Sequence, residues 1–326
     1  MITFFYRAEI AGYSIPKVFH AVTKHIEDKE EVVMRYAGTS LKTLLCNLWK
    51  TFRHRNNKGI NHITGDIHYC ALALPKRNTV LTIHDCVSLV DSSKHWIRRK
   101  IVYLFWYYLP IRRVKAVTCI SNKTRDELLS FFPWAQDKIF VVNNPVSDAF
   151  KYVPKEFTAA CPRILHIGTK NNKNLERVIE AIKDIPCELR IVGVLDANQK
   201  QLLVKSKIRY SNVFHITDEQ IVEEYKNADI ISFPSTYEGF GMPIIEGLAT
   251  GRVVVTSDIE PMCSLSNGCC ELVDPYSVES IKRGIINIVR NSVVRNRYIS
   301  DGLIYVNRFS SETICRDYES VYNQLV

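Results

Sequence analysis

Apolar and polar positions alternate in blocks along this chain, and the blocks are clearest in its second half. Short apolar runs occur at Arg163–Gly168 (RILHIG), Leu189–Gly193 (LRIVG), Asp229–Phe233 (DIISF) and Val253–Thr256 (VVVT). Between them the spacing changes to that of a helix. Leu175, Val178, Ile179 and Ile182, for example, follow the i, i+3, i+4, i+7 rule of one buried face. Strands alternating with helices predict a mostly parallel sheet covered on both faces. The first half repeats the signal more weakly. Its strand candidates are Ile2–Tyr6, Ile60–Ile63, Val80–His84 and Ala116–Ser121, with helices expected near 17–27, 40–54, 96–109 and 122–132. Around 143–162 the period is lost among three prolines, as expected of a linker.

The pattern therefore predicts two Rossmann-like domains, 1–150 and 151–310, followed by a C-terminal helix over 311–326. In that helix Ile314, Tyr318, Val321, Tyr322 and Leu325 share a face that needs a surface, and the first domain is the candidate for it. The length of 326 residues suits two α/β cores better than one.

Composition changes the picture in three ways. With 46% apolar and 24% charged residues, the chain is neither disordered nor of low complexity. No apolar run reaches the ~20 residues that span a bilayer, and Arg7 and Glu9 interrupt any leader-like N-terminus. The ten cysteines include no CxxC pair, so they read as reduced core residues of a cytoplasmic protein rather than a disulfide frame or zinc site. Charge is also uneven. Residues 1–150 hold 22 Lys+Arg against 12 Asp+Glu, whereas residues 151–326 hold 21 against 22. All of the formal net charge of +9 thus comes from the first half. A nucleic-acid role does not follow, because no stacking or groove-reading motif accompanies these cations.

The cations do gather in two places. Lys94–Lys115 carries seven Lys+Arg and no acid around an aromatic centre. Leu41, Leu44, Leu45, Leu48, Trp49 and Phe52 form one helical stripe, accompanied at its end by Lys50, Arg53, Arg55 and Lys58. Basic ends around an aromatic stripe suit an anionic membrane surface, and equally a core helix with a solvated flank.

The segment with most chemistry is FPSTYEGFGMPIIEGLATG, residues 233–251. It follows a strand and opens a helix. Gly239 and Gly241 let backbone come close to a ligand. Pro243 suits the first helical turn, Gly251 a C-terminal cap, and the helix amides favour an anion. Glu238 and Glu246 flank this turn, and carboxylates there can accept from ribose or sugar hydroxyls. A second segment, HIGTKNNKNLERVIEAI (166–182), places Lys170 and Lys173 at the carboxyl end of a strand, where open α/β sheets bind ligands. His84 and Asp85 close a first-half strand. Gly65, Asp66 and His68 follow another.

These motifs resemble glycosyltransferase family 4, whose signature E-G-F-G-x-x-x-x-E matches Glu238 to Glu246. The G-x-x-x-x-K-N/G-L pattern of the same family matches Gly168 to Leu175. The resemblance implies a GT-B fold, with two Rossmann-like domains facing a central cleft. It further implies that Glu238 meets the donor sugar, Glu246 the ribose, and Lys173 the leaving diphosphate, with the backbone of Gly239, Phe240, Gly241 and Met242 lying against both. His84 would face the donor sugar, and Asp66, His68 and Asp85 the acceptor side. Two departures stand out. Thr169 occupies a position where many members carry Arg, which makes Lys170 the substitute cation, and Cys263-Ser264 stands near a common Pro-Glu.

The implied activity is retaining transfer from a nucleotide-sugar donor to a glycan or lipid-diphosphate-linked acceptor, in O-antigen, capsule or lipopolysaccharide biosynthesis. No Asp-x-Asp occurs, so no metal or other cofactor is expected. The implied place is the cytoplasm or, through peripheral attachment, the inner face of a bacterial plasma membrane. A non-catalytic nucleotide-binding scaffold and a nucleotide-sugar epimerase share the fold and are the alternatives.

Overall fold

The computed structural model describes residues 1–8, 10, 14–38, 40–90 and 96–325. Lys94 and His95, at the start of the basic segment, lie outside the described residues. The chain forms two compact units, Met1–Pro145 with Ser311–Val326, and Val146–Ser310.

The first unit runs β1 (Ile2–Tyr6), α1 (Ser14–Thr23), β2 (Lys29–Val33), α2 (Leu41–Arg53), β3 (Ile60–Ile63) and β4 (Thr79–Ile83). It continues with α3 (Val87–Val90), α4 (Trp96–Val102), α5 (Leu109–Arg113), β5 (Ala116–Cys119), α6 (Asn122–Phe131) and β6 (Ile139–Val141). All pairings are parallel, in the order β2-β1-β3-β4-β5-β6. Successive residues of each strand point to opposite faces, and both faces are buried. Phe5, Ile63, Leu81 and Val117 join one core with Tyr69, Ile111 and Leu128. Phe4, Tyr6, Ile60 and Val80 join the other with Phe19 of α1. On this second face lies α14 (Ser311–Asn323), which buries Ile314, Tyr318, Val321 and Tyr322 there. His62 of β3 ties it down between the Tyr322 hydroxyl (2.6 Å) and the Thr82 hydroxyl (2.7 Å). Burial holds this imidazole neutral, with a pKa near 3.

The second unit runs β7 (Arg163–Ile167), α7 (Leu175–Ile182), β8 (Glu188–Val192), α8 (Ala197–Ser206), β9 (Arg209–Val213), α9 (Asp218–Asn227) and β10 (Ile230–Phe233). After it come α10 (Met242–Ala249), β11 (Val253–Ser257), α11 (Met262–Ser266), β12 (Glu271–Val273), α12 (Val278–Arg290) and α13 (Ser292–Tyr305). Its parallel order is β12-β11-β10-β7-β8-β9, the doubly wound arrangement of dinucleotide-binding folds. The periodic residues Leu175, Val178, Ile179 and Ile182 all lie in its core.

One sequence expectation needs correction. The apolar stripe of α2 is split between inside and outside. Leu44 and Leu48 pack on the core, while Leu41, Leu45, Trp49 and Phe52 are exposed. The stripe is too wide for one contact, and the face turned fully inward is the polar one, with Thr43, Asn47 and Thr51. Asn47 Nδ2 donates to the Tyr36 carbonyl (3.0 Å) and to the Tyr69 hydroxyl (2.9 Å), so the helix is docked by hydrogen bonds rather than by its leucines alone.

Candidate functional site

In open parallel sheets a crevice forms where neighbouring strands send their crossovers in opposite directions. In the second unit that point lies between β7 and β10. The loop after β7 carries Gly168 to Asn174, and the loop after β10 carries Glu238. Gly168 has φ +90°, and a Cβ there would come within 2.8 Å of Lys173 Cγ. Its glycine therefore allows both the turn and the path of the lysine stem. Lys173 Nζ lies 2.6 Å from Glu238 Oε1 and 5.0 Å from the Phe233 ring centre. Both partners are only partly exposed, at 23% and 15% of their side chains.

Two asparagines hold the loops together. Asn172 Nδ2 donates to the Tyr237 carbonyl (2.9 Å) and to Glu238 Oε1 (3.3 Å), and its carbonyl accepts from Thr236 N (2.8 Å). Asn174, left-handed at φ 66°, is buried and donates to the Pro234 (2.8 Å) and Pro275 (2.7 Å) carbonyls. It thus joins the loops after β7, β10 and β12. Only glycine and asparagine or aspartate visit this backbone region routinely, a physical reason for N/G at that place in the pattern.

Helix α10 starts beside the pair. Gly241 takes φ +121° at its N-cap, and Pro243 sits in the first turn. Gly247 brings the helix onto the sheet, because a Cβ there would lie 2.7 Å from Val254 Cγ2. Phe240 is buried with its ring 6.1 Å from Phe309, so the Phe240 side chain is core and only its backbone is left to face a ligand. Glu246, one turn in, accepts from the buried Tyr225 hydroxyl at 2.5 Å. Burial and that carboxylate together push the Tyr225 pKa well up, so it stays a donor.

Thr169 is anchored rather than free. Its hydroxyl donates to the Val194 carbonyl (2.6 Å), and its side chain rests on Gly193. Gln199 fixes the Thr169 carbonyl (2.8 Å) and reaches Glu176 (2.8 Å). Lys170 is exposed.

In the first unit the corresponding crossover point lies between β1 and β3. Arg7 follows β1 and Asp66 follows β3, and they form an ion pair at 2.5 Å, with Asp66 left-handed at φ 65°. The Trp106 indole donates to the Asp66 carbonyl (3.0 Å). Arg7, Tyr36, Asp66, Ser88, Arg98 and Trp106 line a cavity of about 270 Å³. His84, after β4, donates from Nε2 to the Thr64 carbonyl (2.7 Å), which leaves Nδ1 as the acceptor nitrogen. Burial lowers its pKa, and the close ring requires Gly65, where a Cβ would lie 2.5 Å from His84 Cδ2. Asp85 accepts from Val87 N (3.0 Å) and starts α3. His68 is not a loop residue. It begins the 3-10 turn His68–Ala73, is buried against Tyr107, and donates to the Trp106 carbonyl (2.8 Å).

No motif in the sequence marks Arg7, Asn172, Asn174 or Tyr225 as part of a site. Only Asn174 carried a local signal, an asparagine immediately before a helix. The others acquire their partners through the fold.

Two family models match the chain. Residues 162–303 match glycosyl transferases group 1, and residues 43–150 match Glycosyltransferase Family 4. The chain is 24% identical over 280 residues to the O-antigen chain mannosyltransferase B of Escherichia coli, covering 77% of this chain and 72% of that protein. It is 22% identical over 237 residues to the serotype-specific mannosyltransferase WbdA of the same species, covering 63% of this chain but only 28% of WbdA. Anabaena HepE, solved in complex with UDP and glucose, superposes with a TM-score of 0.77 at 14% identity over 99% of both chains, which shows the GT-B fold. The chain belongs to glycosyltransferase family 4, and it is an enzyme of that class.

Proposed function

We propose that the chain moves a sugar from a nucleotide-sugar donor to a glycan or lipid-diphosphate-linked acceptor, with retention, in the assembly of a cell-surface polysaccharide of O-antigen, capsule or lipopolysaccharide type. The observation that carries this reading is the Lys173–Glu238 pair between the two crossover loops, beside the start of α10. Before donor arrives the two charges neutralise each other. A diphosphate would draw the ammonium toward its oxygens, where Lys173 and the α10 amides offset the charge developing on the leaving group. Glu238 then turns its oxygens to sugar hydroxyls. Glu246, already accepting from Tyr225, keeps capacity for ribose hydroxyls. The backbone of Gly239 to Met242 is assigned the sugar and diphosphate.

In this reading the charge is carried by the chain alone, with no metal required. Family resemblance assigns His84 to the donor sugar, and its neutral imidazole offers Nδ1 to a hydroxyl. Asp66 and Asp85 are assigned to the acceptor side. Retention means that the acceptor hydroxyl attacks from the face the nucleotide leaves. No helix among the described residues is long and apolar enough to cross a membrane. We place the reaction at the inner face of a bacterial plasma membrane, where a lipid-linked acceptor is met.

Thermal shift with UDP, GDP, ADP and their sugars tests the reading, because a ligand of the native state raises its apparent stability. A rise with one nucleotide family is expected, and a flat response to all three would contradict it.

A further inference from the structure

The exposed apolar side chains of the second unit, such as Val204 of α8, Phe214 after β9 and Val293 of α13, come from separate elements, as on ordinary surfaces. Those of the first unit concentrate on α2 and on the stretch from α4 onward. On α2, Leu41 is 72%, Leu45 57%, Trp49 64% and Phe52 50% exposed. On α4 and the π-helical turns that follow (Tyr103–Tyr108), Trp96, Ile97, Ile101, Leu104 and Phe105 are exposed as well. The two stretches are neighbours. Tyr69 contacts Asn47 of α2 through its hydroxyl and the Trp106 ring at 5.0 Å, and Tyr36 lines cavities beside both.

The exposed stripe of α2 is held out by construction. The helix buries Thr43, Asn47 and Thr51, so it cannot roll its leucines and tryptophan inward without breaking the Asn47 bonds. Beside the stripe lies an apolar groove of about 630 Å³, lined by Tyr36, Leu45, Cys46 and Trp49 and rimmed by Arg35, Lys50 and His54. Cations cover the aromatic faces. Arg53 lies 5.3 Å from the Trp49 ring centre, Arg55 3.6 Å from Phe52, and Lys100 4.9 Å from Trp96. Neither α2 nor the segment 96–113 contains an acid. A second copy of the chain would bring like charges together on this face. An interface rich in phosphate headgroups above hydrocarbon matches both its cations and its apolar stripe.

We infer that α2 is a bilayer-docking helix. Its Leu41, Leu45, Trp49 and Phe52 side chains enter the headgroup–acyl boundary of an anionic membrane, and Lys42, Arg53, Arg55 and the α4 cations Arg98, Arg99 and Lys100 lie among the phosphates. The inference draws on the proposed function only for the setting of the acceptor, and its test is independent of donor chemistry. Attachment would bring the Arg7–Asp66 cavity close to lipid-borne substrate.

The test is flotation of the full chain with phosphatidylglycerol/phosphatidylcholine vesicles and with pure phosphatidylcholine vesicles, together with tryptophan emission. Binding and a blue shift are expected with the anionic vesicles only. Both should be lost at least tenfold in Trp49→Ser/Phe52→Ser, whose exposed positions leave the thermal transition unchanged. Arg53→Gln and Arg55→Gln should each weaken binding about fivefold at low salt. Glu238→Ala should float like the wild type, which separates this inference from the donor reading. Absence of wild-type flotation in low salt would overturn it, as would undiminished flotation of the Trp49/Phe52 variant. Self-association abolished by the same substitutions, without vesicle binding, would assign the face to a second copy instead.

Discussion

Both units place an ion pair across the crossover point of their sheet, but the two pairs stand in different surroundings. In the second unit Lys173 and Glu238 sit among loops that Asn172 and Asn174 stitch together, and both side chains are largely covered. In the first unit Arg7 and Asp66 also meet from the loops after neighbouring strands, yet the Asp66 side chain is 57% exposed beside an open cavity. The same topology has thus produced one tightly held charge site and one open one. On the proposed reading, the difference divides the labour between the two sites. A donor of fixed chemistry, a nucleoside diphosphate, suits preorganised charges in a rigid setting. A variable acceptor suits an open pocket with adaptable partners.

The largest effect expected from this contrast is catalytic. Lys173→Ala and Glu238→Ala should each lower donor hydrolysis or transfer by about 10²–10³-fold, as loss of a preorganised electrostatic group typically does. Asp66→Asn should spare donor hydrolysis and lower transfer. Steady-state rates with the donor found by thermal shift measure both, and a matched loss of hydrolysis in Asp66→Asn would erase the division.

A smaller effect concerns rigidity. Asn174→Ala removes two buried side-chain hydrogen bonds and puts alanine, which lacks the tolerance of asparagine for left-handed backbone, at φ 66°, and should cost about 2–4 kcal/mol. Asn174→Gly loses the same bonds but accepts the backbone, so it should be about 1–2 kcal/mol less damaging. Urea unfolding decides, and equal costs would show that the left-handed turn is unimportant.

The smallest effect is on pH dependence, and it touches both units. Burial lowers the pKa of His62 from 6.5 to about 3 and that of His166, in β7, to about 4. Between those values and 6.5 the unfolded chain binds protons that the native chain does not, so stability falls as pH drops below 6.5. By pH 5.5 the loss should be about 1 kcal/mol for each histidine. His166→Asn should flatten part of the slope in unfolding titrations, and a stability constant from pH 7 to 5.5 would contradict the assignment.

The legibility of the chain follows its burial. The eight central strands were readable because both their faces are covered, which gives continuous apolar runs. The four strands that the pattern did not mark, KEEVV of β2, IFV of β6, RYSNV of β9 and ELV of β12, are the edge strands of the two sheets. Edge strands are short or polar because solvent wets one side, so their period is faint. The stripe on α2 was visible, but which part faced in was decided by Asn47 meeting Tyr36 and Tyr69. In the site, Glu238, Glu246 and Lys173 were legible as local motifs. Arg7 was legible only as a charge that interrupts a leader-like segment, since its partner Asp66 lies 59 residues away.

The central claim is that the β7/β10 crossover grips the nucleotide diphosphate. Calorimetric titration of the stabilising nucleotide into wild type, Lys173→Ala and Asp66→Asn tests it most directly. The account predicts at least tenfold weaker binding in Lys173→Ala and unchanged binding in Asp66→Asn. Unchanged binding in Lys173→Ala, with loss in Asp66→Asn, would contradict it.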